Sequence, residues 1–121
     1  MTSEHNEQVI FVNWARVMAA NGITELALLF AIPNGGKRSI GVAKKLKSEG
    51  VLSGVPDLFL PVARKGKHGL FIEMKREKGG SISKSQNEMI SRFTEQGFEC
   101  VVCCGANEAI NAVIAYIGVG K

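Results

Sequence analysis

The chain has 121 residues, 45% of them hydrophobic and 21% charged. That length suits one domain, residues 1–121, and the composition excludes disordered, collagen-like and low-complexity chains. The net charge of +4 is unevenly placed: Lys37 to Lys84 holds twelve Lys/Arg against four acids, and the remainder holds three against seven. A basic middle between acidic arms attracts polyanions, although a lysine-rich solvated face has the same composition. The longest apolar run, Leu26 to Ile32, is seven residues, against about 20 for a membrane span. No signal peptide is visible in the polar opening, so a cytoplasmic setting with free thiols on Cys100, Cys103 and Cys104 is expected.

Glu4 to Ala20 predicts a helix, with Ile10, Trp14 and Val17 on its inner side and Phe11 and Met18 beside them. Asn21-Gly22 ends it. Leu26 to Ile32 predicts a buried strand, stopped by Pro33-Asn34-Gly35-Gly36. Arg38 to Ser48 predicts a short basic helix with a weak apolar side of Ile40, Ala43 and Leu46. Asp57 to Val62 and Gly69 to Lys75 predict two strands, and the link between them suits a hairpin. Ser83 to Gln96 predicts a helix, Phe98 to Cys104 a strand, and Asn107 to Ile117 a last helix with Asn107 as its cap. The fold class is therefore α/β, a four-stranded mixed sheet flanked by helices.

Asp57 is the sole aspartate and opens a strand after Gly54-Val55-Pro56. A hairpin centred near residue 65 sets it across from Glu73, at the end away from the turn. Two facing carboxylates repel unless a positive group lies between them. A divalent cation is the natural candidate, and oxygen ligands select Mg2+ or Mn2+. Lys75 is two residues beyond Glu73 and shares its face, as does Phe71, whereas Met74 points to the other face. Asp, Glu and Lys on one face suit metal-assisted hydrolysis of a phosphodiester, though a solvated strand-end ion pair has the same residues. Cys100 and Cys103, three apart on a strand, point to opposite faces and read as structural thiols rather than zinc ligands.

The runs GVPDLFL, GLFIEMK, SKSQNEMISRF and GFECVV, with FAIPNGGKR and NWARVM upstream, resemble the VRR-NUC domain of the PD-(D/E)XK nuclease superfamily. The resemblance covers nearly the whole chain and implies a restriction-endonuclease-like core, with Arg38 to Ser48 as an inserted helix. It implies metal ligation by Asp57, Glu73 and the Met74 backbone carbonyl, and a catalytic role for Lys75. Gln86 matches the family's glutamine beside the active site. Ser83-x-x-Gln86 equally fits a capping box, and both readings stand. The first helix of the family supplies an acid near a glutamine. Glu4, one turn from Gln8, is the choice over Glu7.

Lys37, Arg38, Lys44, Lys45, Lys47, Arg76, Lys78 and Lys84 are expected to hold DNA phosphates near the cleavage site. Stand-alone phage members of the family imply a homodimer cutting branched DNA such as four-way (Holliday) junctions, in a bacterial cytoplasm. A non-catalytic DNA-binding module and a site-specific, restriction-type duplex nuclease are the alternatives.

Overall fold

The structure, a computed structural model, describes residues 3–33 and 39–118. Lys37, Arg38 and the turn at Asn34-Gly35-Gly36 lie outside the described residues. The first helix, α1 (Glu4–Ala20), starts at Ser3, whose side chain accepts the Asn6 N–H. Its inner face carries Glu7, Phe11 and Ala15. The sequence expectation was rotated from this: Ile10 and Val17 are exposed, and Trp14 is only half-buried, stacked beside Phe11. Alanine at position 15 and a carboxylate at position 7 give little hydropathy signal, so the louder neighbours define a false stripe.

The expected strand at Leu26–Ile32 is mostly a different structure. Thr24–Leu28 forms a 3-10 turn, followed by a two-residue strand, β1 (Phe30–Ala31). Leu26 and Leu29, three apart, are buried, whereas Leu28 and Phe30 are exposed. A three-residue period with hydrogen bonds three apart is the signature of the 3-10 form. The basic helix α2 (Ile40–Ser48), capped by Ser39, buries none of its residues.

Strands β2 (Leu58–Leu60) and β3 (Leu70–Lys75) are antiparallel, with Leu58 opposite Ile72 and Leu60 opposite Leu70. This register is the one a hairpin centred on residue 65 requires. Its tip is Lys65-Gly66, both at positive φ, closed by reciprocal bonds between Arg64 and Lys67. After α3 (Lys84–Glu95), strand β4 (Glu99–Cys104) runs parallel to β3, and α4 (Ala106–Ile117) follows. The sheet order is β1-β2-β3-β4. Asn107 is not the cap of α4: Gly105 occupies that place and has no side chain to cap with.

Alternation divides the sheet into two faces. Leu58, Leu60, Leu70, Ile72, Met74 and Cys103 form a core with Phe11, Ala15, Ala109 and Val113 from α1 and α4. On the other face Phe59, Phe71, Phe93 and Phe98 cluster, Phe71 stacking on Phe93 of α3 with ring centroids 4.3 Å apart. This aromatic seam fixes α3 over the face that also bears Glu73 and Lys75.

Candidate active site

Glu73 lies on the fully buried strand β3 and is 2% exposed. One step past the last β2–β3 pair, Asp57 turns its side chain to the same strand, and its Oδ2 accepts the Met74 N–H at 2.7 Å. In an antiparallel pair a residue's N–H and C=O point toward the same neighbour, so the Met74 carbonyl faces the Asp57 side. The Asp57 carbonyl accepts the Ile32 N–H at 2.7 Å, which ties the start of β2 to the end of β1. Glu4, the first residue of α1, completes a group in which one oxygen from each of Glu4, Asp57 and Glu73 lies within 4.8 Å of the others. An all-carboxylate donor set of that size fits a hard divalent cation.

Lys75 Nζ sits 3.4 Å from Glu73 Oε2. Gln86 joins both: its amide nitrogen donates to Glu73 Oε2 at 2.9 Å, and its oxygen accepts from Lys75 Nζ at 3.2 Å. The same oxygen accepts the Ser83 N–H at 2.9 Å, while Ser83 Oγ accepts the Gln86 N–H at 3.2 Å. One amide therefore makes the capping box and the contacts to Glu73 and Lys75 together. Burial is the main cause of a Glu73 carboxyl pushed up to about 7, and the adjacent Asp57 charge adds to it. Lys75 opposes the shift without cancelling it. A buried acid held this high binds either a proton or a cation.

Gly54 is a site residue that sequence reasoning passed over. At φ +87° it lies so close to α3 that a Cβ there would stand 2.4 Å from the Ser85 carbonyl oxygen and 2.9 Å from the Gln86 nitrogen. The Gly-x-Pro-Asp run thus lays the approach to Asp57 directly against the turn that carries Gln86. Gly80 has a similar closeness to the stem of Lys75, a Cβ there meeting the Lys75 Cβ at 3.0 Å. The signal was a glycine three residues before the only aspartate; what it contacts could not be read without the fold.

The basic residues divide. Lys44, Lys45 and Lys47 are exposed on α2, and the loop after α2 meets α3 where Ser53 Oγ approaches Ser85 Oγ at 3.4 Å. Arg76 and Lys78 are exposed just beyond β3, the Arg76 guanidinium donating to the Gly79 carbonyl at 3.2 Å. Lys84 is exposed in the first turn of α3. Arg64 and Lys65, at the hairpin tip, are taken up elsewhere: Arg64 pairs with Glu25 at 2.6 Å, and Lys65 donates to the Ala115 carbonyl at 3.1 Å. Glu7 is buried away from the carboxylate group and bonds to α4. Cys103 is buried, which with the nearby Glu108 pushes its thiol up to about 11, so it is no ready nucleophile.

A mixed α/β sheet with a helix-held glutamine, an acid pair and a lysine at one end fits an α/β nuclease core. The VRR-NUC domain model matches residues 2–107. A solved structure described as a VRR_NUC domain protein superposes with a TM-score of 0.83 at 28% identity, covering 99% of this chain and 92% of that one. No curated protein matches the chain. The chain belongs to the VRR-NUC domain family, and its domain is of the nuclease type. Among the described residues, no helix is long and apolar enough to cross a membrane.

Proposed function

We propose that this single-domain protein is a metal-dependent DNA endonuclease that hydrolyses phosphodiester bonds. The observation that carries the reading is the convergence of the Glu4, Asp57 and Glu73 carboxylates beside the ammonium of Lys75. Asp57, Glu73, Glu4 and the Met74 carbonyl would hold Mg2+ or Mn2+, which when bound supplies Lewis acidity at the scissile phosphate and lowers the pKa of water. Lys75 then orients the attacking water and counters the charge that builds on the phosphoryl oxygens. Gln86 holds Lys75 and Glu73 at a fixed separation, so the water and the phosphate meet a prearranged site. The exposed Lys44, Lys45, Lys47, Arg76, Lys78 and Lys84 engage the DNA backbone, joined by Lys37 and Arg38 from the sequence.

Branched DNA, such as a four-way junction, is the proposed substrate and a homodimer the proposed form, because a twofold axis matches two symmetric cuts. A bacterial cytoplasm, reached by way of a phage, is the proposed setting. The test is cleavage of a four-way junction, a flap and a plain duplex with Mg2+, with Mn2+ and with chelator. Metal-dependent cutting of the junction, abolished in Asp57→Asn, is expected. DNA binding without cleavage under every condition would reduce the protein to a binding module. Cutting of plain duplex at one sequence would replace the junction reading with a restriction-type one.

A further inference from the structure

Glu4 reaches the other two carboxylates from the opening residue of a helix, where helices fray. Ser3 keeps that first turn wound: its hydroxyl accepts the Asn6 N–H at 3.1 Å, and its carbonyl accepts the Glu7 N–H at 3.0 Å. These bonds are internal to α1 and do not fix where the turn stands relative to the sheet. Glu7 supplies that link. It is 7% exposed, and its Oε1 accepts the Ala106 N–H, the first of α4, at 2.7 Å. The preceding residue, Gly105, donates its own N–H to the Lys75 carbonyl at 2.8 Å.

Two consecutive backbone N–H groups therefore clamp two elements of the site. One holds the strand carrying Glu73 and Lys75, and the other holds the helix carrying Glu4. Gly105 leaves space for nothing larger: at φ +99° a Cβ would stand 2.8 Å from Glu77 Cγ and 3.3 Å from Glu7 Oε1. A carboxylate also suits the positive end of α4, which lacks a side-chain cap of its own.

We infer that Glu7 is a positioning residue that, through Ala106 and Gly105, sets the first turn of α1 against β3 and so holds Glu4 within reach of Asp57 and Glu73. Glu7 accepts the Ala106 N–H and is not among the three carboxylates that converge. The inference rests on the proposed role of Glu4 as a ligand. Loss of the carboxylate leaves the Ala106 N–H without its partner and frees the turn that carries Glu4.

The experiment is a calorimetric titration of the full chain with Mn2+ alone, at one pH. Glu4→Ala is expected to weaken binding, and Glu7→Ala to weaken it about tenfold, as removal of a supporting contact does. Glu7→Gln keeps an acceptor oxygen for Ala106 and retains affinity near wild type. Glu7→Asp, one methylene short, loses it, and this pair decides the matter if Glu7→Ala does not fold. In the Glu4→Ala background, Glu7→Ala has no further effect. An unchanged Glu7→Ala beside a weakened Glu4→Ala overturns the inference alone, and so does an additive double variant. An unchanged Glu4→Ala overturns the ligand role of Glu4 and this inference with it.

Discussion

Substituting Gly54 with alanine perturbs the junction between the Asp57 approach and α3. The added methyl would lie 2.4 Å from the Ser85 carbonyl oxygen and 2.5 Å from its carbon, where ordinary contact begins at 3.4 Å. Backbone must therefore separate from backbone by about 1 Å. Two costs add. Forcing an L-residue into the left-handed region costs about 1–2 kcal/mol. Overpacking costs about 1–3 kcal/mol more. Displacing Gln86 by about 1 Å from Glu73 and Lys75 should lower cleavage on the order of a hundredfold. Gly50 is the control: it too has positive φ, at +104°, but a Cβ there meets nothing within 4 Å. Gly50→Ala should show only the first cost and cut DNA normally. Urea unfolding followed by circular dichroism reads the stabilities, and junction cleavage at saturating Mn2+ reads the rates. If Gly54→Ala matched Gly50→Ala in both, close contact with α3 would have no part in assembling the site.

Lys75→Met should abolish cleavage and leave DNA affinity nearly unchanged, since one cation among fifteen Lys and Arg adds little to binding; a gel-shift assay with Ca2+ separates the two. Apparent affinity for Mg2+ should climb as pH rises toward about 7 and then level off, because Glu73 must shed its proton before it can ligate. Without metal, the same raised pKa works the other way on folding. Burial disfavours the ionised carboxyl, so stability should fall as pH rises from 4.5 through about 7. Thermal melts across that window, with and without Mg2+, check the sign. Tyr116→Phe removes a buried hydroxyl that donates to the Val62 carbonyl at 2.6 Å. It should cost about 1–1.5 kcal/mol in urea unfolding while leaving the cleavage rate unchanged.

The strand-borne half of the site was legible in the sequence because alternation and hairpin register are short-range properties. The separation of Asp57 and Glu73 about residue 65 sets them opposite one another, and Glu73 and Lys75 share a face by period alone. Helix α3 was equally plain, since Ser83 and Gln86 write its start in local chemistry. The arrival of Glu4 beside Asp57 was not derivable by geometry: the two are far apart in sequence, and it takes the packing of Phe11 and Ala15 on the sheet, with the Glu7 bond to α4, to bring the start of α1 alongside. Glu7 rivals Glu4 in the sequence because a carboxylate's partner on α4 leaves no mark within α1. The 3-10 turn was hidden for a related reason, as a continuous apolar run has no period until burial distinguishes Leu26 and Leu29 from Leu28.

The doubly engaged amide of Gln86 restricts what evolution can put there. Helix starts of this type accept glutamate and glutamine interchangeably, since either offers an oxygen to the Ser83 N–H. Only glutamine also brings an N–H to Glu73. Glutamate would preserve the wound start of α3 while setting a third negative charge against an acid already reluctant to ionise. Drift to glutamate at this position would thus keep the start of α3 wound while stripping Glu73 of its donor, so the damage falls on the carboxylate and not on the helix.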